Sequence, residues 1–220
     1  MTDGPQISRF QLVGEPANAT PMAKYMKNQF PFVGVKTPAR LAQSKALLHA
    51  SLQVPTPAVM AWSQALYRRS EREYQYVAID LAKHNWRRFS VAELLALRPL
   101  VVAKPWWDTV DAWRVVYGRA ADADSAVKRQ LFDVFEASDN FWERRIALNL
   151  QLMSKDQTDL SMLQQAILRD RETPEFFIQK AIGWALRQYS KTDPQWVRAF
   201  ISGHQLSKLA VREGSKYLDR

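Results

Sequence analysis

The sequence predicts an all-α protein, an α-solenoid of about six helical repeats with a concave basic surface. Three observations lead there. Glycine is scarce, at 7 of 220 residues, while Ala, Leu, Arg, Gln and Lys are common. No sustained period-2 alternation is bounded by turn signals, which argues against strands. Small residues recur at one phase of successive helical stretches, with a period in the mid-thirties.

Ala78, Ala112, Ala147 and Ala181 are separated by 34, 35 and 34 residues. The same step backward reaches Ser44, and forward it reaches Ser215. Close helix packing needs a small residue at a fixed phase. Further helices are expected between these, over 91–97, 125–137, 160–169 and 194–201. Thr173-Pro174 and Asp193-Pro194 each read as a cap followed by Pro at the first helical position. Paired helices of this period bury their apolar faces against their neighbours and curve into a concave surface. Residues 1–20 are polar, with Gly4, Pro5, Gly14 and Pro16, and read as an irregular arm with one short turn at 10–13. Residues 21–220 are expected to form a single repeat domain.

The formal net charge is +9. Such a field favours polyanions, with nucleic acid ahead of an anionic membrane surface. No long basic amphipathic helix stands out for membrane binding, and no apolar run approaches spanning length. The N-terminus lacks the basic-then-apolar layout of a signal peptide. Cysteine is absent, which excludes a disulfide framework, thiolate catalysis and Cys-ligated zinc, and is consistent with a reducing cytoplasm. The scattered His49, His84 and His204 do not suggest a metal site, and no cofactor is expected.

Charge is also unevenly placed. From Pro16 to Ser70 there is no Asp or Glu, whereas Lys24, Lys27, Lys36, Arg40, Lys45, Arg68 and Arg69 fall in that stretch. Without local acidic partners these side chains are expected to be free for phosphate. Lys27 and Arg40 are therefore candidate backbone contacts. Lys36 and Thr37 are candidates too, although a loop Thr before Pro38 could equally cap a helix.

The densest chemistry lies in Lys104-Pro105-Trp106-Trp107-Asp108-Thr109-Val110-Asp111. If a helix begins there, Trp107 and Asp111 are an i, i+4 pair on one face. A large π-surface beside a carboxylate suits a cationic ligand or a cationic transition state. The repeat phase singles out Asp111, because the equivalent positions hold Val77, Ile146 and Lys180. An acidic residue repels phosphate, so in a basic groove it is better suited to catalysis than to affinity. Arg145 and Trp184 come from later repeats and Tyr25 precedes the first; together they make a credible site for a nucleoside. Trp106 is expected in the core and Asp108 at the helix start. Trp142 stands open between core and groove, and Trp113 and Trp196 are assigned to packing.

The sequence has no Cys nucleophile, Ser-His pair or phosphate-binding glycine loop. A lone carboxylate flanked by π-faces suits cleavage of an N-glycosidic bond, which passes through an oxocarbenium-like sugar. The alternative is a non-catalytic HEAT-repeat protein that binds distorted or branched DNA.

Several stretches together resemble the AlkD-type DNA alkylation repair family. They are Pro21-Met22-Ala23-Lys24-Tyr25-Met26-Lys27-Asn28-Gln29-Phe30, Gly34-Val35-Lys36-Thr37-Pro38, Trp106-Trp107-Asp108-Thr109-Val110-Asp111, Phe176-Phe177-Ile178-Gln179-Lys180-Ala181-Ile182-Gly183-Trp184-Ala185-Leu186-Arg187, and residues 209–218. The resemblance runs from about Pro21 to the C-terminus. It implies a HEAT-like solenoid that removes positively charged N3- and N7-alkylated purines from double-stranded DNA, as a monofunctional glycosylase. It implies Asp111 as the catalytic carboxylate, with Trp107 and Trp184 as aromatic walls at the lesion's backbone and deoxyribose. It also implies that Arg145 holds backbone near the lesion and that Tyr25 lines the cleft, with Arg187 a further candidate DNA contact. The expected partner is alkylated duplex DNA, bound by a cytoplasmic monomer.

Overall fold

The structure is a computed structural model that describes residues 5–218. Every regular element among the described residues is helical. The chain divides into two compact units, Met1–Ala103 and Lys104–Arg220. The boundary falls between the repeats of Ala78 and Ala112.

The first unit contains α1 (Pro5–Arg9), α2 (Pro16–Tyr25), α3 (Thr37–Ser51), α4 (Thr56–Arg68), α5 (Arg72–Asn85), α6 (Val91–Ala96) and α7 (Pro99–Val102). Proline occupies the first turn of α2, α3, α4 and α7, where its missing N–H has no intrahelical partner to lose. Ser90 and Glu93 form a reciprocal capping box that starts α6. The period-marking Ser44 and Ala78 lie fully buried on α3 and α5, which pack against each other. The core is carried by Val59 and Leu66 of α4 with Val77, Ile79 and Leu81 of α5.

The N-terminal arm corrects the sequence reading. Residues 5–9 and 16–25 are helical, and the expected turn at 10–13 has no helical or turn conformation. Long-range partners account for the difference. Arg69 donates to the carbonyls of Phe10 and Ile7 at 2.5 and 2.7 Å, at the C-terminal end of α1. The Tyr74 hydroxyl accepts from Leu12 N–H at 3.2 Å, and the Gln43 amide pairs with both backbone groups of Val13. None of these contacts leaves a trace in the local composition.

Buried Glu73 holds the segment before α3. Its carboxylate accepts from the backbone N–H groups of Val33, Gly34 and Val35 at 2.9, 2.8 and 3.0 Å. Gly34 adopts φ +94°, a conformation that favours glycine.

The second unit contains α8 (Trp107–Ala123), α9 (Ser125–Glu136), α10 (Phe141–Asn149), α11 (Leu160–Asp170), α12 (Phe176–Tyr189), α13 (Pro194–Gly203) and α14 (Lys208–Gly214). Asp124, Asn140, Asp159, Asp193 and Ser207 cap α9, α10, α11, α13 and α14 with their side-chain oxygens. The period-marked helices α8, α10 and α12 pack in succession and α14, which ends one residue before Ser215, follows them, with α9, α11 and α13 packed against them as a second layer. That is the layering a helical-repeat solenoid requires. The expected helices at 91–97, 125–137, 160–169 and 194–201 are all present, with ends shifted by one or two residues.

Thr173 does not cap α12. It donates instead to Asp170 at 2.8 Å, and the helix starts at Phe176 behind Glu175. Asp170 is itself claimed by Arg144, whose Nε lies 3.0 Å away, so the turn after α11 is fixed before α12 can begin.

Glycine sets the tightest helix contact. A Cβ on Gly183 of α12 would lie 2.5 Å from Glu213 Cβ and 3.0 Å from the Ala210 carbonyl of α14. Only a bare Cα permits that approach.

Candidate functional site

Trp107 and Asp111 share one face of α8, one turn apart, and both are half-buried. Trp106 precedes the helix in extended conformation, so Trp107 is its first residue. Asp108 lies in the first turn, where a negative charge complements the helix dipole.

Arg145 of α10 meets Asp111 edge to edge. Its Nε donates to Asp111 Oδ1 and its Nη2 to Oδ2, both at 2.9 Å. Its Nη1 donates to the Phe177 carbonyl in the first turn of α12 at 2.5 Å. The Arg145 side chain is 5% exposed, against 22% for Asp111. The carboxylate therefore reaches solvent while the guanidinium behind it does not. Two of roughly four carboxylate lone-pair positions are taken by the fork, which leaves acceptor capacity for a water or a ligand.

Trp184 of α12 completes the group. Its ring centroid lies 6.0 Å from the Arg145 guanidinium carbon and 5.9 Å from that of Arg114. Arg114 is on α8, three residues after Asp111. Burial lowers its pKa, with Asp111 and Asp122 acting in the opposite direction. The sequence reading missed Arg114, although its spacing from Trp107 and Asp111 (i+7 and i+3) was visible.

An aromatic cluster braces the first turns of α10 and α12. Trp142 lies 5.0 Å from Phe177 and 4.7 Å from Phe141, and Trp106 lies 5.1 Å from Phe177 between ring centroids. Trp142, open between core and groove in the sequence, is buried here. Trp106, expected in the core, is half-buried at the edge of this cluster, and its buried indole N–H has no partner. The cluster positions Phe177, whose carbonyl anchors Arg145. Trp113 is fully buried, and Trp196 stacks on Phe200 at 4.9 Å.

The structure thus brings Trp107, Asp111, Arg145 and Trp184 together within the second unit. The remaining expected residues are distributed differently. Tyr25 ends α2 and is 68% exposed. Lys27 follows it, exposed, with φ 58°. Lys36 is the N-cap residue of α3 and Thr37 its first residue; both are exposed, and neither gives the helix a side-chain cap.

Arg40 departs from expectation. It is buried, donates to Asp80 at 3.3 and 3.1 Å through Nε and Nη2, and lies over the Tyr76 ring at 4.9 Å. A guanidinium already neutralised on the next repeat helix does not fit a free phosphate contact. The acid-free stretch 16–70 hid this, because the partner comes from 40 residues away. Arg187 likewise pairs with Glu213 at 3.3 Å. Glu213 also accepts from Lys216, the main cause of its lowered pKa.

Among the described residues, no group of three or more His, Asp or Glu side chains is arranged to hold a metal ion. No helix among them is long and apolar enough to cross a membrane.

Fold and site together define an all-α repeat protein that presents an arginine-held carboxylate beside tryptophans. Residues 6–218 match the family described as DNA alkylation repair enzyme. A solved structure described as a predicted DNA alkylation repair enzyme from Enterococcus faecalis is 50% identical to this chain. The match covers 96% of this chain and 99% of that one, with a TM-score of 0.94. No curated protein matches. The chain belongs to the DNA alkylation repair enzyme family.

Proposed function

We propose that this protein is a monofunctional DNA glycosylase that excises positively charged N3- and N7-alkylated purines from double-stranded DNA. The supporting observation is the Asp111 carboxylate, gripped at both oxygens by Arg145 yet open to solvent. The glycosidic bond breaks with its electron pair going to the base, which leaves neutral because alkylation had already made it cationic. The sugar becomes oxocarbenium-like at C1′. Asp111 stabilises that charge and orients the water that adds there, and the water's proton passes to solvent. Stabilisation of this kind contributes about 3–4 kcal/mol to lowering a barrier. Trp107 and Trp184 offer π-faces to the cationic sugar.

In this reading Tyr25, Lys27, Lys36 and Thr37 of the first unit contact the DNA, and a net charge of +9 supplies the attraction. The protein works as a cytoplasmic monomer without a cofactor. The test is incubation of the purified protein with methylated duplex DNA, followed by chromatography of the released bases. Free 3- and 7-methylpurines above the spontaneous rate are expected. Release at the spontaneous rate, with salt-sensitive DNA binding intact, would leave a non-catalytic DNA-binding solenoid.

A further inference from the structure

Trp107, Asp111 and Arg114 stand at i, i+4 and i+7, so one stripe of α8 carries an aromatic ring, an anion and a cation in order. Two guanidinium groups approach Trp184 at nearly equal distance, those of Arg145 and Arg114. They differ in what they hold. Arg145 has three N–H groups engaged by Asp111 and Phe177 and is almost fully buried. The Arg114 Nε is buried without an acceptor, and Asp111 and Asp122 act on its charge as coulombic neighbours.

A buried charged donor without a partner is strongly unfavourable. Structural arginines elsewhere in this chain recruit acceptors. Arg144 takes Asp170 and the Ser138 and Asp139 carbonyls, and Arg88 takes the Ser51 and Val54 carbonyls. Arg114 is half-buried, so its other donors can be reached from solvent. The unfilled capacity points to an external anion.

The neighbours narrow that anion. A ligand here must present a negative oxygen to Arg114 while presenting positive charge, or an apolar face, to Asp111 and Trp184. A nucleotide in which the sugar becomes cationic and the phosphodiester remains anionic satisfies both demands. We propose that Arg114 binds a phosphodiester oxygen of the nucleotide whose sugar faces Asp111, so that the arginine seats the substrate while Arg145 orients the carboxylate. This rests on the glycosylase reading of the site. It transfers the backbone contact that the family resemblance implied for Arg145 to a residue with donors to spare.

The test uses a duplex carrying a tetrahydrofuran abasic-site analogue, which cannot be cleaved, with affinity measured against salt concentration. Arg114→Gln removes the charge, and Arg114→Lys keeps the charge without the planar fork. The slope of log K against log salt is expected to fall by about 0.9 for Arg114→Gln, one phosphate contact. Its affinity at low salt is expected to drop by about tenfold or more. Arg114→Lys should restore the slope but only part of the affinity. Neither variant should melt below the wild-type temperature. Wild-type slope and affinity in folded Arg114→Gln would overturn the proposal, as would loss of folding with no change in the slope of Arg114→Lys and no loss of its affinity. Base release by the wild type is measured in parallel. If it is absent while Arg114→Gln still loses slope, the glycosylase reading fails and the phosphate contact stands. If it is present while Arg114→Gln binds normally, only the Arg114 assignment fails.

Discussion

The Asp111 carboxylate and the Arg145 guanidinium form a two-point contact, 2.9 Å at each oxygen, with the arginine the more deeply buried of the two. That asymmetry makes the partners unequal on removal. Asp111→Ala strands a buried cation, a loss of about 3–5 kcal/mol for pairs of this kind. Arg145→Met leaves a carboxylate that water can reach and should destabilise by less. Urea unfolding of the two variants checks the order, and a larger loss for Arg145→Met would show that the pair is not governed by desolvation of the arginine.

Asp111→Asn keeps one acceptor for the fork and so should retain the fold and DNA binding. Excision should fall by a factor that corresponds to about 3–4 kcal/mol. The measurement is single-turnover base release at saturating protein. A normal rate would make Asp111 a structural residue.

Arg40 and Lys36 should separate cleanly. Lys36 is exposed at the N-cap of α3, and Lys36→Ala should weaken binding to damaged and undamaged duplexes alike without changing the melting temperature. Arg40→Ala leaves Asp80 with Lys83, 3.8 Å away, and should lower stability by about 1–3 kcal/mol. Equal melting temperatures for the two variants would return Arg40 to the role the sequence suggested.

These residues also show what was legible beforehand. The 34- to 35-residue spacing of Ala78, Ala112, Ala147 and Ala181 revealed the helix layers because packing at close approach depends on side-chain size, which a sequence displays directly. The exception at Asp111 was legible for the same reason. The destinations of charges were not. Arg40 finds Asp80 and Arg69 finds the carbonyls of Ile7 and Phe10 through tertiary contacts over 40 and about 60 residues. The helicity of residues 5–9 was hidden likewise, since its C-terminal carbonyls are satisfied from outside. Arg114 was missed although its spacing was readable. Spacing placed it on the stripe, and only the packed structure shows that its Nε is buried without an acceptor.

Stability should respond to acid through Glu93. Its pKa is lowered, first by the Thr56 hydroxyl and then by the Ser90 N–H it accepts as part of the α6 capping box. A depressed carboxylate contributes stability above its ordinary value of 4.5, and that contribution is lost as pH falls through the folded-state value. The stability difference between wild type and Glu93→Gln should therefore be constant above about pH 5 and shrink below 4.5. A difference that persists undiminished at pH 3 would assign the effect to shape, not charge.

Two glycines on neighbouring helices should respond in opposite directions to alanine. In a helix interior the exchange by itself gains about 0.5–1 kcal/mol, because glycine loses more backbone entropy on folding. Gly203, the last residue of α13, has nothing within 4 Å of an added Cβ, so Gly203→Ala should keep part of that gain. At Gly183 the added methyl would meet Glu213 Cβ at 2.5 Å and the Ala210 carbonyl at 3.0 Å. Backbone on α14 cannot yield as a long side chain would, and overpacking of this kind costs about 1–3 kcal/mol. The overpacking term exceeds the entropic gain, so Gly183→Ala should lower the melting temperature while Gly203→Ala raises it. Because Gly183 adjoins Trp184, displacement of α12 from α14 should also slow base release in Gly183→Ala. A stabilised Gly183→Ala with full activity would mean that α12 and α14 do not depend on the bare Cα for their packing.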